Sequence, residues 1–300
     1  MRMMLHRSML GAVLGVLLLA GTAHAQNPDT IAPEESEAMA KRIVNQLIQA
    51  LGGPLYLSMT ERQCEGRRAL IGHNGELAGY VSLRDYWAYP DKDRIEYVAH
   101  SRNTLLGYLI GVQDLDITHG GLIITVFSGE QGWIMDRSGV SELPVGSVSQ
   151  FQASLKQNVD NLLRLRIKDP ETRYRWAGLG TVDLHPVDWV EVTDTEGVTV
   201  RLAVDKSTHL LVRSVVVTQD EEFNQTREDV AIYTNYQDKG GVRMPMQVSR
   251  ERDGRRMQQV FYDDCHPNPT LPADFFTRQA LDKRFKETHG KSSSKSKDEP

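Results

Sequence analysis

The chain has 300 residues, with 35 Lys and Arg against 40 Asp and Glu, a formal charge of −5 and a mean hydropathy of −0.42. That acidic balance argues against nucleic acid, whose binding needs basic clusters to displace phosphate counterions. The length suits one large all-β domain or two ordinary ones.

Arg2 and Arg7 precede the apolar run 9–20 (MLGAVLGVLLLA), and GTAHAQ follows, with Ala23 and Ala25 forming an A-x-A cleavage site before Gln26. Residues 1–25 therefore read as a cleaved secretory signal, too short and wrongly flanked for a membrane span. No cysteine stands at the cleavage site, so the expected mature chain is an unlipidated periplasmic protein. Losing Arg2 and Arg7 leaves 33 basic against 40 acidic residues and makes it more acidic still.

Residues 26–36 are polar, contain Pro28 and Pro33, and read as a flexible leader. Over 34–51, Met39, Ile43, Val44, Leu47, Ile48 and Leu51 recur at helical spacing, and Gly52-Gly53 supplies a left-handed stop. Strand signals follow at 60–72 and 76–90, joined by a hairpin turn at Asn74-Gly75, then at 93–100, 121–128 and 131–137. Residues 101–120 form an insert of mixed signals, whose apolar part from Leu105 to Val112 reads as a short helix or a flap.

A second helix is expected over 147–167, with Phe151, Leu155, Val159, Leu162 and Leu163 on one face and Asp169-Pro170 ending it. Strands are then expected at 173–183, 186–194, 197–205, 210–220, 226–237, 242–252 and 255–264. A short terminal helix follows within 274–290, and residues 289–300 have the composition of a disordered tail.

About a dozen sequential strands with hairpin-length links cannot stay flat, because strand twist curls such a sheet toward a barrel. The fold class is mainly β (α+β): an unclosed, strongly curled antiparallel β-barrel, with helices packed in or over its concave face, as a single domain over 37–288. The strand at 197–205 shows why the concave face draws attention. Val198, Val200, Leu202 and Val204 alternate with Thr199, Arg201, Ala203 and Asp205 and place four apolar side chains on one side.

Enzyme signatures are missing: there is no G-x-S-x-G elbow, H-E-x-x-H, G-x-x-x-x-G-K, or G-x-G-x-x-G after a strand. His119-Gly120-Gly121 resembles a lipase oxyanion loop, but without a serine elbow a turn before a strand explains it. Asp114, Asp116 and His119 are close enough to share a metal and fall short of the ligand count of a calcium loop. His185, His209 and His266 each lack a partner in sequence. No metal, cofactor or catalytic residue is expected.

Cys64 and Cys265 either pair, closing a loop of about 200 residues worth on the order of 4 to 5 kcal/mol, or are separate buried thiols. The aromatic stripe Tyr80, Tyr86, Trp87 and Tyr89 falls on both faces of its strand, so part of it belongs at a rim or surface.

Several passages resemble the outer-membrane lipoprotein-sorting (LolA-like) family, particularly its larger exported members. They are RIVNQLIQALGG, YPDKDRIEY, FSGEQGWIMDRSGV followed by FQASLKQNVDNLLRLRIKDP, VDLHPVDWVEVTD, VRLAVDKSTHLLVRS, YTNYQDKGGVRMPMQVSRERDGRRMQQVFYD and NPTLPADFFTR, covering most of 41–280. The resemblance implies an unclosed barrel lidded by helices, whose concave face holds acyl chains of a lipid or lipoprotein during trafficking to the outer membrane. A membrane-associated donor or acceptor protein would be a partner. The same fold also implies the alternative of an envelope sensor or scaffold that binds a protein partner; an envelope lipid hydrolase is the third class.

Periodicity nominates the lining as Val187, Trp189, Val198, Val200, Leu202, Val204, Met244 and Met246, the methionines being adaptable to varied ligands. Phe151 and Leu155 are the expected lid contacts. Packed core under the helices is the competing role for each lining residue.

Overall fold

The computed structural model describes residues 27–72, 75–99, 121–220 and 225–289. The signal segment, turn residue Asn74, the 101–120 insert with Asp114, Asp116 and His119, and the tail from 290 lie outside these residues.

Thirteen strands form one antiparallel sheet: β1 (Glu61–Ile71), β2 (Leu77–Ala88), β3 (Lys92–Ala99), β4 (Gly121–Ser128), β5 (Gln131–Asp136), β6 (Gly139–Glu142), β7 (Arg173–Val182), β8 (His185–Thr193), β9 (Thr199–Asp205), β10 (Leu211–Asp220), β11 (Gln225–Lys239), β12 (Val242–Arg252) and β13 (Arg255–Pro267). Their order is β6-β5-β4-β3-β2-β1-β13-β12-β11-β10-β9-β8-β7. Two meanders, β1–β6 and β7–β13, therefore meet at a β1–β13 seam, and β6 and β7 are the free edges. The barrel does not close.

The seam is held by a disulfide between Cys64 and Cys265, opposite each other in register with Cα atoms 4.1 Å apart. Just beyond it the register shifts at Glu65/Gly66. A Cβ on Gly66 would sit 2.1 Å from the Phe261 carbonyl oxygen and 2.7 Å from the Tyr262 Cα, so only glycine allows the two backbones to approach this closely.

The helices are α1 (Pro33–Leu51), α2 (Pro54–Ser58), α3 (Val145–Gln157), α4 (Val159–Arg164) and α5 (Arg278–His289). Within the expected leader a 3-10 turn forms at Pro28–Thr30 and α1 already begins, with Pro33 in the first helical turn, where a missing N–H is harmless. α1 packs Ala40, Ile43, Val44, Leu47, Ile48 and Leu51 into the core. It also covers one free edge: Ser36 Oγ accepts from the Trp176 backbone N–H at 3.0 Å and donates to its carbonyl at 3.4 Å. That blocks a strand that would otherwise pair with another chain.

The single helix expected over 147–167 is instead α3, α4 and a 3-10 turn at Arg166–Lys168. The break falls at Asn158, whose backbone is extended and whose side chain accepts from the Asn161 N–H, capping α4. This connector joins β6 to β7 and so runs between the two unpaired edges. β6, only four residues long, had no distinct sequence signal.

α5 lies on the outer face. Phe276 and Leu281 cluster with Tyr86, Ile124, Val126, Trp133 and Met135. Arg94 is buried there, pairing with Glu96 at 2.7 Å, donating to the Phe275 carbonyl and sitting 4.1 Å from the Phe275 ring.

Candidate ligand-binding site

The concave face is followed by strand register. One cross-strand row reads Pro267, Arg62, Trp87, Asp93, Phe127, Gly132, and the next reads Cys265, Cys64, Asp85, Ile95, Thr125, Ile134. On the other meander, Val200, Leu202 and Val204 of β9 lie on the side of α1 with Val190, Val192, Val216, Met244 and Met246.

Two of the nominated lining residues are on the wrong side. Val187 pairs with Asp205 and Trp189 with Ala203, which puts them on the outer face of β8 in a cluster with Val182 and Ala203. The inward residues of β8 are Val190 and Val192; both parities of that strand carry apolar side chains, and register decides between them. Val200, Leu202, Val204, Met244 and Met246 are buried against α1 and α4, and Val198 is partly buried beside them. They form a packed apolar floor.

Cover over this face is uneven. α1 buries five large aliphatic side chains, each worth about 2 kcal/mol, and is held by on the order of 10 kcal/mol. α3 has one buried residue, Phe151, which stacks on Phe127 at 4.3 Å and approaches Trp87 at 6.0 Å; Leu155 is half-buried. α3 is thus the lightly held part of the cover, and it lies over the Trp87–Phe127–Gly132 end of the first row, with Val148 against Gly132.

Beneath it is a polar centre that sequence reasoning missed. Arg62 Nη2 (3.0 Å) and the Tyr262 hydroxyl (2.6 Å) both donate to Asp85 Oδ2. The hydroxyls of Tyr56 (2.7 Å) and Tyr89 (3.0 Å) donate to Asp160 of α4, while the guanidinium of Arg164, on the same helix, lies 4.2 and 4.4 Å from those two rings and donates to the Met59 carbonyl at 2.6 Å. Asn161 Nδ2 donates to the Pro90 carbonyl at 2.8 Å.

Burial, with Asp85 nearby, pushes the Asp93 carboxyl well above the usual carboxylate range. Burial and the neighbouring acidic groups raise Tyr56 and Tyr262 in the same way. Burial opposes the charge of Arg62, but Asp85 together with Tyr262, Tyr89 and Asp160 outweighs it and raises the guanidinium further.

Five of these side chains carry buried polar atoms with no hydrogen-bond partner: Arg62 Nε, Trp87 Nε1, Asp93 Oδ1, Asn161 Oδ1, and Arg164 Nε and Nη2. Asp93, Asn161 and Arg164 are each more than nine-tenths buried. Since an unpaired buried polar group costs roughly 1–3 kcal/mol, such a concentration is unusual for a purely structural core. The only hint in sequence was the two-faced aromatic stripe, of which Trp87 and Tyr89 turn inward while Tyr80 and Tyr86 turn outward.

Among the described residues, no group of three or more His, Cys, Asp or Glu side chains is arranged to hold a metal ion, and no helix is long and apolar enough to cross a membrane.

No protein-family model and no curated protein matches the sequence. Solved structures do match. A DUF1329 family protein from Desulfovibrio piger shares 14% identity over 81% of this chain and 98% of its own, with a TM-score of 0.51. A domain assigned to the outer membrane lipoprotein-sorting proteins, from Vibrio parahaemolyticus, shares 10% identity over 84% of this chain and 100% of its own, with a TM-score of 0.50. At that identity the likeness is one of fold: this chain has the unclosed, helix-covered barrel of the LolA-like lipoprotein-sorting proteins.

Proposed function

We propose that the protein is a periplasmic carrier or binder of lipid or lipoprotein acyl chains, taken up between α3 and the concave face of the sheet. The observation that carries this reading is the uneven cover: a broad apolar face with one firmly docked helix and one, α3, that buries a single side chain. Displacing α3 breaks no strand pair and bares Trp87 and Phe127, so a ligand needs to offset only a few kcal/mol to enter. Each methylene it buries returns about 0.8 kcal/mol. The lipoprotein-sorting assignment of the Vibrio parahaemolyticus domain agrees with this use of the fold.

The test is native mass spectrometry of the protein purified from a bacterial periplasm, followed by solvent extraction and lipid identification. A bound lipid or acylated peptide that leaves on extraction is the expected result. A clean apo mass that persists after incubation with lipids and lipopeptides would overturn the reading and favour a scaffold that binds a protein partner.

A further inference from the structure

The unpartnered atoms of the polar centre divide unequally. Four are N–H groups: Arg62 Nε, Trp87 Nε1, and Arg164 Nε and Nη2. Two are oxygens, Asp93 Oδ1 and Asn161 Oδ1. They are contiguous. Arg62, Trp87 and Asp93 are successive members of one cross-strand row. The Tyr89 ring is 6.1 Å from that of Trp87 and 4.4 Å from the Arg164 guanidinium, and Asn161 is on the same helix as Arg164.

From this we infer that the polar centre is a subsite for an uncharged acyl junction, an amide or ester whose carbonyl oxygens accept from Arg62, Trp87 and Arg164 and whose amide N–H donates to Asn161 or Asp93, and that it selects against anionic headgroups. The inference rests on the acyl-binding reading and names the chemistry of its polar end.

The choice between neutral and anionic follows from what surrounds the N–H groups. The guanidiniums of Arg62 and Arg164 share the site with Asp85 and Asp160, while the Asp93 carboxyl, pushed up by burial, also lies within reach of the Arg250 charge. Asp85 already takes one guanidinium by a direct ion pair. An incoming phosphate or carboxylate would bring its charge beside Asp85 and Asp160 and would offer no hydrogen to the two unpartnered oxygens. An amide satisfies donors and acceptors together, without adding charge.

The test holds the chain constant and varies the head. N-palmitoylglycinamide, palmitate and monopalmitoyl phosphate compete, each below its critical micelle concentration, for displacement of 1-N-phenylnaphthylamine from the full-length protein. The amide is expected to bind about tenfold tighter than either anion. Arg164 also holds the Met59 carbonyl, so its removal endangers folding. Trp87→Phe is the better variant: it deletes one unpartnered N–H and keeps an aromatic ring, and it should weaken the amide about three- to tenfold while leaving both anions unchanged, as expected for one hydrogen bond.

Equal affinities for the three heads, tightest binding by the phosphate, or an amide preference untouched by Trp87→Phe would each overturn the subsite while leaving acyl binding standing. Failure of all three ligands and of the fluorescent probe to bind would overturn the acyl-binding reading and the subsite with it.

Discussion

The β1–β13 seam is the one neighbouring pair of the described sheet whose strands are not consecutive in the chain, and a disulfide fastens it across a sequence separation of 201 residues. Replacing both cysteines, Cys64→Ala with Cys265→Ala, frees a denatured chain that was a closed loop. In the loop-entropy model a loop of that size is worth about 5 kcal/mol at room temperature. Both cysteines are buried in the core, so losing the two sulfurs adds about 1 kcal/mol each in packing. The expected loss is about 5 to 7 kcal/mol, a large share of the stability of an ordinary domain. Urea unfolding of oxidised wild type and the double variant measures it, and the m-value should rise because the uncrosslinked denatured state exposes more surface. A loss below about 1 kcal/mol with an unchanged m-value would refute the loop-closure argument.

Two further perturbations test other parts of the fold. Ser36→Ala removes both side-chain bonds to Trp176 and uncovers the β7 edge; it should cost about 1 to 2 kcal/mol and raise the rate of aggregation in light scattering, and an unchanged aggregation rate would show that the edge is protected some other way. Asp205 is buried, which alone would raise its pKa, but hydrogen bonds to its Oδ1 from Ser207 and Thr208 hold the carboxyl well below the usual range. A depressed folded pKa contributes stability above the unfolded value of about 4 that is lost as pH falls further, so thermal melts from pH 6 to pH 2 should steepen below about pH 4 in wild type and be flatter in Asp205→Asn. Parallel curves would assign that acid sensitivity elsewhere.

The strands were legible because period-two alternation and turn chemistry agree along most of the chain. Lys206-Ser207-Thr208, for instance, marks the β9–β10 turn that Asp205 ties together. The break in the second helix was less so: the apolar stripe through Phe151, Val159 and Leu162 continues across it, and the signal against continuity is the local capping geometry of Asn158. The facing of Val187 and Trp189 failed for another reason. β8 is apolar at both parities, so its inward face is fixed by register with β9, which no local pattern contains. The polar centre was out of reach because Arg62, Trp87, Asp93, Asn161 and Arg164 come from β1, β2, β3 and α4 and become neighbours only when the sheet curls under the connector.

The chain order of the sheet also sets a timetable. Synthesis runs from the N-terminus, so the β1–β6 meander is complete well before β13 exists. At roughly 5 to 20 residues per second, the 201 residues between the two cysteines take about 10 to 40 seconds to appear. From the completion of β6 at Glu142 until β13 appears, β1 offers an open hydrogen-bonding edge with the Cys64 thiol on it, in a half-sheet already large enough to pair with a second copy. The last strand to arrive is the one that seals the middle of the molecule, so the chain's greatest exposure to mispairing comes while most of its sequence is already made.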